Sequence, residues 1–229
     1  MTYNFGTTLT IKFFAMGKLS DSLLSGSNGR TGRLVVANVL GTEVIRMRPR
    51  RRTNQPSDKQ SLIQQRMKKC LDFIGGYSAF ACKHFGYRVG LRSCYNLAMN
   101  NLLLAFKVDY TSMTITPTYS EIAFSKGALL QPLPTGLSAS IVGSFDIEWY
   151  NNAPAGSIRE NDDLQVLFLQ DNAITPILME NMAKRIDTTV SIPIPVYLQG
   201  QKIHVWIAFR AADTPEVANS IYVGEVQLV

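Results

Sequence analysis

The hydrophobic period of this chain changes near Asp109, and that change restricts the fold more than any other feature of the sequence. Before it, apolar residues recur at helical spacing. Leu62, Ile63, Met67, Cys70, Leu71 and Ile74 form one stripe, and Tyr95, Ala98, Leu102 and Phe106 form a second. After it the period is two. Phe145, Ile147 and Trp149 alternate with Asp146, Glu148 and Tyr150, and Leu164, Val166 and Phe168 alternate with their neighbours. Ile203, Val205, Ile207 and Phe209 alternate with His204, Trp206, Ala208 and Arg210. Such alternation predicts half-buried antiparallel strands, with His204 on an outward phase. Further strands near 113–119, 138–143, 173–179, 187–192 and 219–229 give about seven, over a length close to the roughly 100 residues of an immunoglobulin-like sandwich.

The helical stripes have physical boundaries. Ser57-Asp-Lys-Gln60 fits a capping box behind Pro56, which predicts a helix start, and Gly75-Gly76 predicts its stop. Lys59, Arg66, Lys68 and Lys69 are expected on its wetter sides. A second helix is expected over about 91–106. Upstream, 33–39 and 43–48 read as a hairpin turning at Gly41-Thr42, with Val44, Arg46 and Arg48 on one face. The segment from Pro49 to Pro56 reads as an extended linker carrying Arg50, Arg51 and Arg52. In the last strand Val226 and Leu228 are out of phase with Ile221 and Val223, which predicts a bulge at Gly224-Glu225. Pro193 and Pro195 place their strand at a sheet edge, because proline donates no ladder hydrogen bond.

Charge divides the chain at the same place as the period. Residues 1–112 hold 17 Lys+Arg against 5 Asp+Glu, a balance of +12, and residues 113–229 hold 6 against 12, a balance of −6. The expected organisation is an extension over 1–15, a basic hairpin and helical module over 16–112, and a sandwich over 113–229. The basic module is expected to face something anionic. Cys70, Cys82 and Cys94 fall in the helical stretch, and an odd count is a poor disulfide framework, so they read as reduced core thiols. No stretch approaches the roughly 18 apolar residues of a membrane span. Residues 1–15 lack the continuous apolar segment of a signal peptide, so a cytoplasmic location is expected.

Several short motifs occur in order along the chain. They are Gly29-Arg-Thr-Gly32, Arg46-x-Arg48-Pro49, Gln65-Arg66, Tyr95-Asn96 with Asn100, Ser125-Lys-Gly127, the Trp149 strand, Asp162-Asp163, Ala208-Phe209 and Ser220-x-Tyr222-x-Gly224. From about Met16 to the C-terminus, this order and spacing resemble an uncharacterised family of proteins widespread in Bacteroidota. Members usually begin near the position of Met16-Gly17, so residues 1–15 are either an extension or the product of a misplaced start. The resemblance implies an architecture and no activity.

Candidate chemistry is sparse. Gly26, Gly29 and Gly32 precede a strand, whereas a phosphate-binding P-loop opens a helix with Gly-Lys-Ser/Thr, so tight turns are expected. A nucleophilic Ser or Cys needs a neighbouring base, and only His84 and His204 are available. Cys82 and His84 are too few ligands for structural zinc, and Glu160, Asp162 and Asp163 read as solvated turn residues rather than calcium ligands. No catalytic residue, metal or cofactor is implied, nor a small-molecule substrate. The one cluster above background is basic: Arg46, Arg48, Arg50, Arg51 and Arg52, then Lys59, Arg66 and Lys69. Its arginines suit bidentate contact with carboxylate or phosphate. No aromatic residue lies between Ala37 and Leu71, so stacking of single-stranded bases has little support. The reading is an α+β, non-catalytic structural, assembly or adaptor protein that contacts a protein partner or its own copies through the basic module. The alternative is a nucleic-acid-associated protein contacting phosphates through the same arginines.

Overall fold

The computed structural model describes residues 16–21, 24–39, 41–48, 55–139, 141–171 and 173–229. The chain divides into two compact units, Met1–Gln55 and Pro56–Val229.

The first unit is an antiparallel sheet of β1 (Met16–Leu19), β2 (Gly29–Thr31), β3 (Leu34–Val39) and β4 (Thr42–Met47), in the order β1-β4-β3-β2. The expected hairpin is β3–β4, turning at Gly41, whose φ of +85° suits a residue without Cβ. β1 and β2 were not foreseen, being only four and three residues long. Val36 is the one buried hydrophobic residue among the described residues of this unit.

The second unit opens with α1 (Asp58–Gly75), α2 (Ser78–His84) and α3 (Cys94–Ala105). The capping box of α1 forms as expected: Ser57 Oγ accepts from the Gln60 amide at 3.4 Å, and Gln60 Oε1 accepts from the Ser57 amide at 3.2 Å. The helix ends at Gly75 with Gly76 as its cap, as expected, although the cap is not a left-handed one. Gly76 is right-handed, and a Cβ there would stand 2.0 Å from the Pro176 carbonyl oxygen, so the close approach of another backbone demands glycine. The buried stripe of α1 is Leu62, Cys70, Phe73 and Ile74, while Ile63, Met67 and Leu71 are exposed. The face is therefore rotated from the one expected.

A short hairpin, β5 (Phe106–Asp109) with β6 (Thr114–Pro117), takes up the strand expected at 113–119. Seven strands then make two antiparallel sheets. β7 (Leu133–Ser138), β8 (Ser144–Tyr150) and β11 (Thr189–Pro193) form one in the order β11-β8-β7. β9 (Asp163–Gln170), β10 (Ile177–Met179), β12 (Lys202–Arg210) and β13 (Ile221–Gln227) form the other in the order β10-β9-β12-β13. The strand expected at 138–143 lies five residues earlier, as β7. β11 is an edge strand, as its prolines require. The β13 register slips between Tyr222 and Gly224, so the bulge falls at Val223, one residue before the expected place.

Phe145, Ile147 and Trp149 of one sheet meet Leu164, Val166, Phe168, Ile203, Val205, Ile207 and Phe209 of the other in a single core, which makes the pair an immunoglobulin-like sandwich. Leu167, Leu169, Trp206 and Ala208, on the opposite face of the four-stranded sheet, join Cys70, Phe73, Ala98, Leu102 and Phe124 in a second core. The helices are thus a third layer on one sheet. The boundary expected at 112/113 would cut this second core; in the structure the compact units part at Gln55/Pro56, and the helices fold with the sandwich.

Candidate binding face

Strand register places the basic residues. Across the N-terminal sheet Arg46 lies opposite Met16 on one side and Val35 on the other, and Val35 lies opposite Arg30. Lys18 lies opposite Val44, which lies opposite Ala37. Residues paired in this way share one face of a sheet, so Lys18, Arg30 and Arg46 stand together. Arg48 follows Arg46 by two, and its amide donates to the Arg33 carbonyl at 2.7 Å, which carries the strand pairing and the face onward. All four side chains are exposed. Glu43, opposite Leu19 and Asn38, is on the other face, where its Oε1 accepts from the Gly26 amide at 2.7 Å. Among the described residues the cationic face carries no carboxylate.

Arg50, Arg51 and Arg52 lie outside the described residues, as do residues 1–15. Lys59, Arg66 and Lys69 belong to α1 in the second unit. Lys59 Nζ stands 5.8 Å from the centre of the Tyr110 ring. Arg66 departs from its expected wet position: it is half-buried on the core stripe, with its charge beside the Cys70 thiol. Lys69 lines a cleft of about 270 Å³ with Tyr119 and Asp171. Lys18 and Arg30 were missed, although Arg30 stands in the Gly-Arg-Thr-Gly motif, because only the register reveals their common face.

The histidines and Cys70 are occupied structurally. His204 is buried, not outward as expected, because the helical layer covers its side of β12. It stacks on Tyr119 with ring centres 3.8 Å apart, and its nitrogens contact Tyr222 Oη at 2.9 Å and Asp171 Oδ1 at 3.4 Å. His84 Nδ1 is 3.1 Å from the Pro215 carbonyl oxygen, which can only accept, so Nδ1 carries the proton. Burial pushes the Cys70 thiol up to about 11, with Arg66 pulling weakly the other way, so it is a poor nucleophile. Cys70 is a core thiol, but Cys82 is exposed and Cys94 half-buried.

The acidic turn is likewise consumed by pairing. Asp162 and Arg185 are fully buried together, with Arg185 Nη2 donating to Asp162 Oδ2 at 3.2 Å. Arg185 also donates to Asn152 Oδ1 and the Leu130 carbonyl and lies 4.0 Å from the centre of the Phe209 ring. Asp163 is held by Lys184 at 2.5 Å. No group of three or more His, Cys, Asp or Glu able to hold a metal occurs among the described residues.

The fold and the face define a helix-covered β-sandwich preceded by a sheet with a cationic surface. The chain belongs to a family of unknown function, DUF6266, whose model matches residues 26–224. No curated protein matches it. Similar solved structures include the fn3 domain of human collagen alpha-1(XX) chain, 11% identical over 43% of this chain and 85% of that one, with a TM-score of 0.33. The fn3 domain of human contactin 1 is 7% identical over 46% and 83%, with a TM-score of 0.31. The sandwich assignment rests on the sheet topology and the shared core, independently of these two. No helix among the described residues is long and apolar enough to cross a membrane.

Proposed function

We propose that this is a non-catalytic assembly or adaptor protein whose N-terminal sheet contacts an anionic partner, with the helix-backed sandwich as a rigid platform. One observation carries this reading: Lys18, Arg30, Arg46 and Arg48 share an exposed sheet face with no carboxylate among the described residues. Like charges crowded on one face repel, and a surface serving solubility alone would intersperse acids. The environments of His84, His204 and Cys70 support the absence of catalysis, because each group is buried and engaged in holding the fold.

Sedimentation velocity at low and high salt, on the full chain and on a variant with Arg46, Arg48, Arg50, Arg51 and Arg52 changed to Ala, tests the proposal. Salt-sensitive association lost in the variant supports it. Binding to unrelated duplex DNA, with a salt slope of about 0.9 per phosphate neutralised, would move the reading to a nucleic-acid-associated protein. Neither association nor nucleic-acid binding in either protein would leave a merely solvated face.

A further inference from the structure

The anionic surface that fits the cationic face lies on the same chain. The three-stranded sheet β11-β8-β7 has its inner face in the core and an outer face on which Glu148 and Tyr150 are exposed and Asp146 half-buried. On β8 the outward residues are Asp146, Glu148 and Tyr150. Beside them stand Ser191 and Ser138 in the Asp146 row, Thr189 and Gly136 in the Glu148 row, and Leu133 opposite Tyr150. Among the described residues, none of those on this face of the three strands is a cation. Elsewhere in the unit several carboxylates are paired locally, Glu121 with Lys107, Asp213 with Arg159, Asp163 with Lys184, Glu225 with Lys202 and Glu180 with Arg210. Asp146 and Glu148 have no such partner among the described residues.

The geometry of the two faces is complementary as well as their sign. Asp146 and Glu148 are two residues apart on one strand, as are Arg46 and Arg48, and both spacings are about 7 Å. A Cβ at Gly136 would stand 2.9 Å from Glu148 Oε2, so the Glu148 carboxylate lies across the neighbouring strand over a residue with no side chain. The small residues around it leave the exposed Glu148 carboxylate open to the planar fork of an arginine, which pairs bidentately with carboxylate, with the half-buried Asp146 beside it. Tyr150, exposed and in phase with them, offers an aromatic face for a further guanidinium.

We infer that the outer face of β11-β8-β7 in one copy receives the cationic face of the N-terminal sheet of a second copy. This rests on the proposed function and names its partner. The strength of the contact falls with salt, because most of these charges remain near solvent.

The test uses two full-length variants, D146K/E148K and R46E/R48E. Wild type should associate at low salt, and each variant alone should associate about tenfold or more weakly, since like charges then oppose across the contact. Mixing the two variants should restore association, because the lysines of one then meet the glutamates of the other. Circular dichroism confirms folding, and D146N/E148Q serves as a second, milder variant that should weaken association in the same direction. Association lost in R46E/R48E but kept in D146K/E148K would overturn this inference and leave the proposed function standing with another partner. A wild type that stays monomeric at every salt concentration, or no recovery on mixing, would also overturn it.

Discussion

The two sheets of the sandwich share one core yet live in different surroundings. β9 and β12 are covered on both faces, by the opposite sheet and by the helical layer, so seven consecutive residues of β12, Ile203 to Phe209, are buried. β8 is covered on one face only, and its burial alternates residue by residue. A strand with two dry faces must be apolar throughout, whereas a strand with one can place charge on the other. The covered sheet is therefore where stability concentrates, and the bare sheet is where a partner can be received without disturbing the core.

Removing the helical layer should break this arrangement with the largest effect. A fragment of residues 113–229 would expose Leu167, Leu169, Trp206 and Ala208, which the helices bury, and is expected to aggregate or to lack a cooperative melt. A fragment of residues 56–229 keeps both cores and should be soluble and melt as one transition. A soluble, cooperative 113–229 would show that the helices are dispensable and restore the boundary read from the sequence.

Trp206→Ala and Tyr150→Ala compare the sheets one side chain at a time. Trp206 is fully buried, and its Nε1 donates to the Tyr119 carbonyl at 3.1 Å, so its truncation should cost about 3–5 kcal/mol. For a unit of this size that lowers the melting temperature by roughly 6–20 °C. Tyr150 is mostly exposed, and its truncation should stay within about 0.5 kcal/mol. Equal effects in calorimetry would refute the asymmetry.

The sequence made the bare sheet easier to read than the covered one. In β8 the pattern Phe-Asp-Ile-Glu-Trp names the inward and outward faces directly. In β12 His204 and Trp206 looked like the wet half of an alternation, although Leu164 to Leu169 and Ile203 to Phe209 are nearly continuous apolar runs, the mark of strands covered twice. The candidate face was legible only in part. Arg46 and Arg48 followed from alternation within one strand, but Lys18 and Arg30 reach their face through pairing with distant strands, which no local pattern encodes. Asp146 and Glu148 were read only as the polar half of a strand. Their isolation from cations depends on where every other side chain of the unit lies.

The junction between α1 and the β9–β10 connection sharpens the comparison, because adjacent glycines should respond with opposite signs. Gly75 is helical with nothing near its absent Cβ, so Gly75→Ala should stabilise by about 0.5–1 kcal/mol. Gly76→Ala would drive a methyl into the Pro176 carbonyl and should cost about 1–3 kcal/mol. Urea denaturation of the two variants checks both signs. A Gly76→Ala variant as stable as wild type or more so would mean that α1 and Pro176 are not in close contact.

A smaller effect belongs to the helical layer. Burial, as the main cause, lowers the His84 pKa from its ordinary value near 6.5. The unfolded chain then binds a proton that the folded chain refuses, so this group's contribution to stability is complete above the unfolded pKa and declines as pH falls below it. The decline stops once pH passes the folded pKa. Denaturation midpoints between pH 7.5 and pH 5 should fall less steeply in His84→Gln than in wild type, and an identical slope would show that His84 does not titrate differently on folding.

The smallest expected effect is on the bare sheet itself. The carboxylates of Asp146 and Glu148, about 7 Å apart along one strand, repel by roughly 0.6 kcal/mol in water before screening and by less than half of that at physiological salt. Glu148→Gln removes this repulsion and breaks no hydrogen bond or ion pair among the described residues. Stability of the isolated protein should therefore rise by a few tenths of a kcal/mol at low salt and stay unchanged at high salt. The same substitution should weaken association between copies, which separates a residue kept for contact from one kept for folding. A loss of stability at both salt concentrations would instead place Glu148 within the structural framework of the sheet, where its carboxylate over Gly136 would be holding β7 and β8 together.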